Sequence, residues 1–404
     1  MNATLTLLAK HLVTIPSTSS NESRVMAYVA EWAKKQGLPV FMQRKHGLVN
    51  LACVSGSGKP TTVLTTHLDT VEPDPKLWKK TKPYSPRIIG DKLYGLGASD
   101  AKGIAAAMLW AALSFQKSAE AWKGKVVVVL VSDEERTGKG SEVVIPFVKQ
   151  HPSLRIIPKS TAVIVGEPTN LMEIGLGNRG NVFISLTVHG KSVHSSRPKD
   201  GKNAASKAAS IIVAIPDFVD QLNNKHPDLI LKGTNITVTS MSSNLGIVAG
   251  IIVPTKLNTL PEKATFTLDC RLSQPYFQNN FRLFWKEFDK FIANQREAGF
   301  RLTWEKIHPE VAGHAIKQSS PLVQLLARSI FGETGKKASY RVALGANDAP
   351  FWAKAGFEVV NEYGLGNNEV IHQPDEWVSL SELEKGALVY LSFAKMWINK
   401  TLKI

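Results

Sequence analysis

The stretch Lys125–Glu135, KVVVVLVSDEE, decides the fold. Val126 to Ser132 are all apolar or small, with four consecutive valines among them. An unbroken β-branched run of this kind suits a strand buried on both faces of a mainly parallel sheet. Three acids, Asp133, Glu134 and Glu135, follow at once. Ligands of open α/β sheets bind outside the carboxyl ends of the strands. Adjacent carboxylates at such an edge repel one another and hold protons unless a cation neutralises them. The competing reading is a solvated acidic turn, and the neighbouring strand ends have to separate the two.

Toward the N-terminus, Asn50–Val54 and Thr61–Thr66 read as strands, and the second runs into THLDT, which sets His67 two residues before Asp69. In extended backbone, positions i and i+2 share a face, so imidazole and carboxylate point the same way. Metal-bound histidines commonly donate their other N–H to a carboxylate or carbonyl, whereas a lone histidine at a strand end reads as structural. Leu5, Leu8, Leu12 and Val13 mark an amphipathic first helix, and Glu22–Gln36 a second that stops at Gly37. Between these strands and the central run lies GLGASDAKG, Gly95–Gly103, leading into the apolar helix Ile104–Leu113. Its glycines permit a tight turn and a close backbone approach. A glycine-rich turn before a helix can cradle phosphate. This one, however, is neither GxGxxG nor a P-loop, and Asp100 at its centre would repel an anion. Downstream, the strand Ala162–Val165 delivers Gly166-Glu167-Pro168. His67, Asp100, Glu135 and Glu167 thus follow successive strand or turn signals, which implies convergence at one sheet edge.

The pattern then changes. Val182–Val188 and Ala264–Leu268 alternate like strands, with helical Ala204–Val213 between them; Phe281–Gln295 reads as a helix and Arg301–Trp304 as a strand. Such a block between parts of an α/β sheet predicts an α+β insertion. From His308 the α/β character returns, with a helix at Pro321–Phe331, strands near Ser339–Val342 and Glu358–Val360, His372 in a loop, and a closing helix Leu380–Met396.

The chain of 404 residues, 43% hydrophobic and 21% charged, has the composition of an ordinary soluble globular protein. No stretch approaches the roughly 20 apolar residues that span a bilayer, and the start shows no basic region with a small-residue cleavage site. Cys53 and Cys270 are too few and too far apart for a disulfide framework or a cysteine zinc site. These features predict a cytoplasmic protein without a membrane partner. The net charge of +15 is spread over short pairs such as Lys34–Lys35, Lys79–Lys80 and Lys336–Lys337. With no long basic tail and no nucleic-acid motif, it predicts a solvated surface that attracts small anions rather than a nucleic-acid partner.

HLDTV, GLGASDAKG, SDEE, GEPT, GKSVHSSRP and IHQPDEW, in this order, resemble the family of co-catalytic zinc hydrolases that contains acetylornithine deacetylase, succinyl-diaminopimelate desuccinylase, aminoacylase and related carboxypeptidases. The resemblance covers almost the whole chain. It implies a zinc-exopeptidase-like catalytic domain with a mostly parallel central sheet flanked by helices (residues 1–178 and 308–404). It also implies an inserted α+β, ferredoxin-like lid or dimerisation domain (residues 179–307). Two zinc ions per chain are expected, with cobalt or manganese as substitutes. Asp100 would bridge them, His67 and Glu167 completing one site and Glu135 and His372 the other. Glu134 would be the general base, and Asp69 the partner of His67. A cis peptide is implied at Asp100–Ala101. His194 would reach into the other subunit of a homodimer to stabilise the oxyanion. Arg179, Asn258, Arg271 and Asn347 would lie near substrate. Two positions depart from the pattern: Asn347 replaces a hydroxyl residue, and Pro350 stands where an arginine is usual.

The implied activity is removal of an acyl group from an N-acyl amino acid, of the acetylornithine deacetylase or succinyl-diaminopimelate desuccinylase kind. A zinc dipeptidase or carboxypeptidase of the same family is the alternative, with the same metal chemistry and a different substrate anchor. A non-catalytic metal-binding protein is the remaining reading, disfavoured because all five ligands and Glu134 are present.

Overall fold

A computed structural model describes residues 2–118, 123–243, 245–248, 251–254, 257–278 and 280–401. Beyond its first residue, the strand Lys123–Val131 is buried throughout. Its alternate residues enter two different cores. Val126, Val128 and Leu130 pack with Leu8 and Leu12 of helix Ala3–Thr14, Val29 of helix Ser23–Lys35, Ile104 and Met108 of helix Lys102–Lys117, and Tyr390 and Phe393 of helix Leu380–Thr401. Val127, Val129 and Val131 pack with Val144 and Val148 of helix Lys139–Gln150 and with Trp352 of helix Ala349–Lys354. The valine run carries no polar alternation because neither face meets water. Each such side chain contributes about 1.5–3 kcal/mol of burial.

This strand also has neighbours along both of its edges. Thr61 to His67 run parallel to it, from Thr61 opposite Lys125 to His67 opposite Val131. Leu51 to Gly56 lie along the other edge in the opposite sense, from Leu51 against Leu130 to Gly56 against Lys125. The two expected strands, Asn50–Val54 and Thr61–Thr66, are therefore parts of one continuous strand, Leu48–His67, whose limbs embrace the central run. Thr161–Val165 pairs parallel to Thr61–Thr65, and Glu358–Val360 parallel to Ala162–Ile164, while Val40–Lys45 closes the far side antiparallel. This is the α/β architecture expected, with a largely parallel sheet between helical layers. Its parallel strands end together, so His67, the Ser132–Glu135 turn and Glu167 emerge at one edge.

Contacts divide the chain into two compact units: Met1–Gly177 with Ile316–Ala343 and Asn347–Ile404, and Asn178–Ala315 with Leu344–Ala346. In the second unit the sheet order is Arg301–Lys306, Gly180–His189, Lys263–Leu272, Asn235–Ser243, antiparallel throughout. Helices Ala204–Val213, Ile215–Lys225 and Arg282–Asn294 complete the β-α-β-β-α-β order of a ferredoxin-like fold. The chain re-enters the first unit at Ile316, beyond the change of pattern at His308. The reason is local: Val311 still bridges to Asn181, so this extended segment belongs to the second sheet. Among the described residues, no helix is long and apolar enough to cross a membrane.

Two parts of the fold leave no clear periodic pattern in the sequence. Helix Lys139–Gln150 contains both Gly140 and Pro146. A small sheet joins Arg87–Ile89, Lys92–Tyr94 and Trp377–Ser379, strands of three residues each. In that sheet Tyr94 pairs with Trp377.

Candidate metal centre

His67 closes its strand with a buried ring. Nδ1 lies 3.0 Å from the Asp69 carbonyl oxygen, and Nε2 lies 3.0 Å from Asp100 Oδ1. The other oxygen of Asp100, Oδ2, is 3.3 Å from His372 Nε2, which lies 2.9 Å from Glu135 Oε1. His67, Asp100 and Glu167 form one group with donor atoms all within 4.8 Å of one another, and Asp100, Glu135 and His372 form a second. Residues 67, 100, 135, 167 and 372 are thus brought together, with Asp100 common to both groups. Glu134 stands beside them but in neither group.

Main-chain donors fix this geometry. Asp69 holds the acidic turn: its Oδ1 accepts from the Glu134 amide at 3.2 Å, and its Oδ2 from the Glu135 amide at 3.1 Å and the Ser19 hydroxyl at 2.8 Å. The partner that Asp69 offers His67 is chiefly its carbonyl, since the nearer carboxylate oxygen stands 3.6 Å from Nδ1. A carbonyl only accepts, so the neutral ring carries its proton on Nδ1 and leaves the Nε2 lone pair toward Asp100. Asn50, which no motif marks, pins the start of the same turn: its side chain accepts from the Ser132 amide and donates to the Gly140 carbonyl. The Asp100–Ala101 peptide is cis. Asp133 at φ 62° and His372 at φ 58° occupy the left-handed region, sparsely used by residues other than glycine.

The electrostatics are those of acids crowded together out of water. Burial pushes the Glu134 and Glu167 carboxyls well above the usual range, and neighbouring carboxylates add to the effect. Burial likewise takes Asp348 up to about 7. Burial opposes charge on His67, yet Asp100 and Asp69 outweigh it and hold the ring's proton affinity high. Hydrogen bonds to Asp100 and Glu135 raise His372 to about 10. Imidazole nitrogens and carboxylate oxygens, one carboxylate facing both groups, form a donor set that fits two divalent cations such as zinc.

Each of the other expected residues has partners within its own unit. In the second unit His194 is exposed: Nδ1 meets the Ser196 hydroxyl at 2.8 Å, and Asn258 Nδ2 lies 3.4 Å from Nε2. Arg179 donates to the carbonyls of Gly233 and Leu231, both at 2.7 Å. Arg271 pairs with Asp269 at 2.8 Å and lies over the Phe183 ring. In the first unit Asn347 is buried, donating to the Asn361 carbonyl and accepting from the Ala349 amide, both at 3.1 Å. Arg179, Arg271 and Asn347 therefore have structural partners within their own units.

The family described as Peptidase family M20/M25/M40 matches residues 63–396, and the chain belongs to it. The chain is 25% identical over 397 residues to a succinyl-diaminopimelate desuccinylase of Blochmanniella pennsylvanica, covering 96% of each sequence. Its fold is similar to that of a tripeptidase from Staphylococcus aureus, at 22% identity and a TM-score of 0.71 over 98% of both chains. It is also similar to an M20 family metallo-carboxypeptidase from Sulfolobus solfataricus, at 20% identity and a TM-score of 0.71 over 99% of this chain and 100% of that one. The chain is a hydrolase of amide bonds.

Proposed function

We propose that this M20 family hydrolase is a dizinc deacylase that removes the acyl group of an N-acyl amino acid. The observation that carries the reading is the placement of Asp100, which turns one carboxylate oxygen to His67 and the other to His372, with Glu134 adjacent. Similarity to a succinyl-diaminopimelate desuccinylase supports the substrate class.

In this reading His67, Asp100 and Glu167 hold one ion, and Asp100, Glu135 and His372 the other, with cobalt or manganese able to replace zinc. Bound there, the ions would acidify a water molecule and polarise the scissile carbonyl. Glu134 accepts the proton of the attacking water and returns it to the departing nitrogen, so that an amine rather than an amide anion leaves. Asp69 serves twice: its carbonyl sets the His67 tautomer, and its carboxylate holds the Glu134–Glu135 turn in place. His194, supplied by the other subunit of a homodimer, would donate to the oxyanion. Removing one such donor costs about 3–4 kcal/mol, or roughly a hundredfold to a thousandfold in rate. Arg179, Asn258, Arg271 and Asn347 are the proposed substrate contacts. The same residues could cleave a dipeptide or a C-terminal peptide bond, the second reading, in keeping with the peptidase names of the fold neighbours.

The test is direct. Purified protein should bind close to two zinc or cobalt ions per chain and lose activity in strong chelator, and Asp100→Ala should lose both ions. N-acetyl, N-succinyl and N-formyl amino acids, assayed beside simple dipeptides, should include the best substrates. Full activity in chelator would overturn the mechanism, and faster turnover of dipeptides would favour the peptidase reading.

A further inference from the structure

The turn that carries Asp100 and the loop that carries His372 start from paired strand positions. Tyr94 pairs with Trp377, so Gly95 leaves one strand where Glu376 enters the other, and the Gly95 amide donates to the Glu376 carbonyl at 2.9 Å. The Glu376 side chain is 1% exposed and faces back into the Asp100 turn. Its Oε2 accepts from the Gly97 amide at 2.9 Å, and its Oε1 accepts from the amides of Ser99 at 2.7 Å and Asp100 at 2.9 Å. Asp375 beside it is half-buried and accepts from the amides of Lys79 and Lys80 in bonds at the surface.

We infer that Glu376 is a positioning residue that locks the Asp100 turn to the His372 loop and so fixes the two candidate ligands relative to each other. The inference rests on the metal reading above. Asp100 has only its carboxylate for the two groups, and its own amide is held by Glu376. Displacement of that amide moves the shared carboxylate for both groups at once. Glu376 also lies four residues after His372, so the same side chain limits how far His372 can move from Asp100. Three amide donors converge on two acceptor oxygens, an arrangement that only a carboxylate satisfies completely. In a glutamine of the same size the NH2 group must oppose at least one of these amides, donor against donor.

The experiment compares the wild type with Glu376→Gln, Glu376→Asp and Asp375→Asn. Zinc affinity is measured by competition with a chromophoric chelator, and the cobalt-loaded proteins are followed by visible absorption. Thermal melting of the metal-free proteins reports folding separately. Glu376→Gln should weaken zinc binding roughly 10- to 100-fold, the size of effect usual for partners behind a ligand. The larger loss should fall on the ion held by Asp100, Glu135 and His372, and the cobalt spectrum should shift. Asp375→Asn, which alters only exposed bonds, should bind both ions nearly as the wild type does. If Glu376→Gln does not fold, Glu376→Asp, which keeps the two carboxyl oxygens but cannot reach all three amides, should show the same pattern. Wild-type affinities and spectrum in a folded Glu376 variant overturn the inference. A wild type that binds no metal overturns the underlying metal reading instead.

Discussion

Glu134 and Glu135 are chain neighbours of the same chemical type, yet backbone geometry separates them. Both amides are held by the one Asp69 carboxylate, and only the Glu135 side chain reaches His372. Glu134→Ala should therefore keep both metals and lose roughly a hundredfold to ten-thousandfold in turnover, the usual contribution of a general base. Glu135→Ala should lose metal as well. Metal analysis beside steady-state kinetics separates the two, and an equal fall in metal content for both would show the roles to be wrongly divided. The sequence shows both acids plainly at the end of a hydrophobic run, but the difference between them depends on Asp69 and on a histidine far away along the chain.

At the scale of elements, the acidic turn depends on how helix Lys139–Gln150 docks. A Cβ placed on Gly140 would collide with the Ser132 carbonyl oxygen, and Asn50 ties the same two residues together. Neither backbone can yield without moving the turn that carries Glu134 and Glu135. Gly140→Ala should cost about 1–3 kcal/mol, the range for overpacking, and should also slow turnover. Denaturant unfolding reads the first effect and kinetics the second. In contrast, Leu130→Ala empties a helix-facing core position and should cost about 2–5 kcal/mol. Activity of the fraction that remains folded should be little changed. If Gly140→Ala loses stability with unchanged turnover, the turn does not depend on this contact. The requirement for glycine at position 140 has no local signature, because the obstructing atom belongs to another element.

At the scale of the whole molecule, the proposal is a homodimer made through the second unit. Its edge strand Asn235–Ser243 is largely exposed and presents Met241. An open sheet edge is an aggregation liability, and symmetric pairing is one way to cover it. His194 would then serve the partner's metals. His194→Ala and Glu134→Ala should each be nearly inactive. Co-refolding the two should restore part of the activity, because each mixed dimer joins one intact metal site to an intact His194 from the other chain. Heterodimers that form without any recovery would show that His194 does not act across the interface. The competing role of His194 is local, since its Nδ1 accepts from the Ser196 amide at 3.2 Å and could simply shape that loop.

By itself the sequence determined the α/β class and most of the cluster. Long β-branched runs permit only a strand buried on both faces. His67, Glu134, Glu135 and Glu167 follow such runs directly, and Asp100 sits in a glycine turn before an apolar helix. His372 was legible only through the family resemblance, because no hydrophobic period leads into its loop. The tertiary structure decided how Leu48–His67 wraps the central strand, and which oxygen of Asp100 faces which histidine. It also decided the supporting parts played by Asn50, Asp69 and Glu376. Those three act chiefly through main-chain amides, which every residue but proline carries. A carboxylate that holds amides from a distant segment looks, in one dimension, like any other acid.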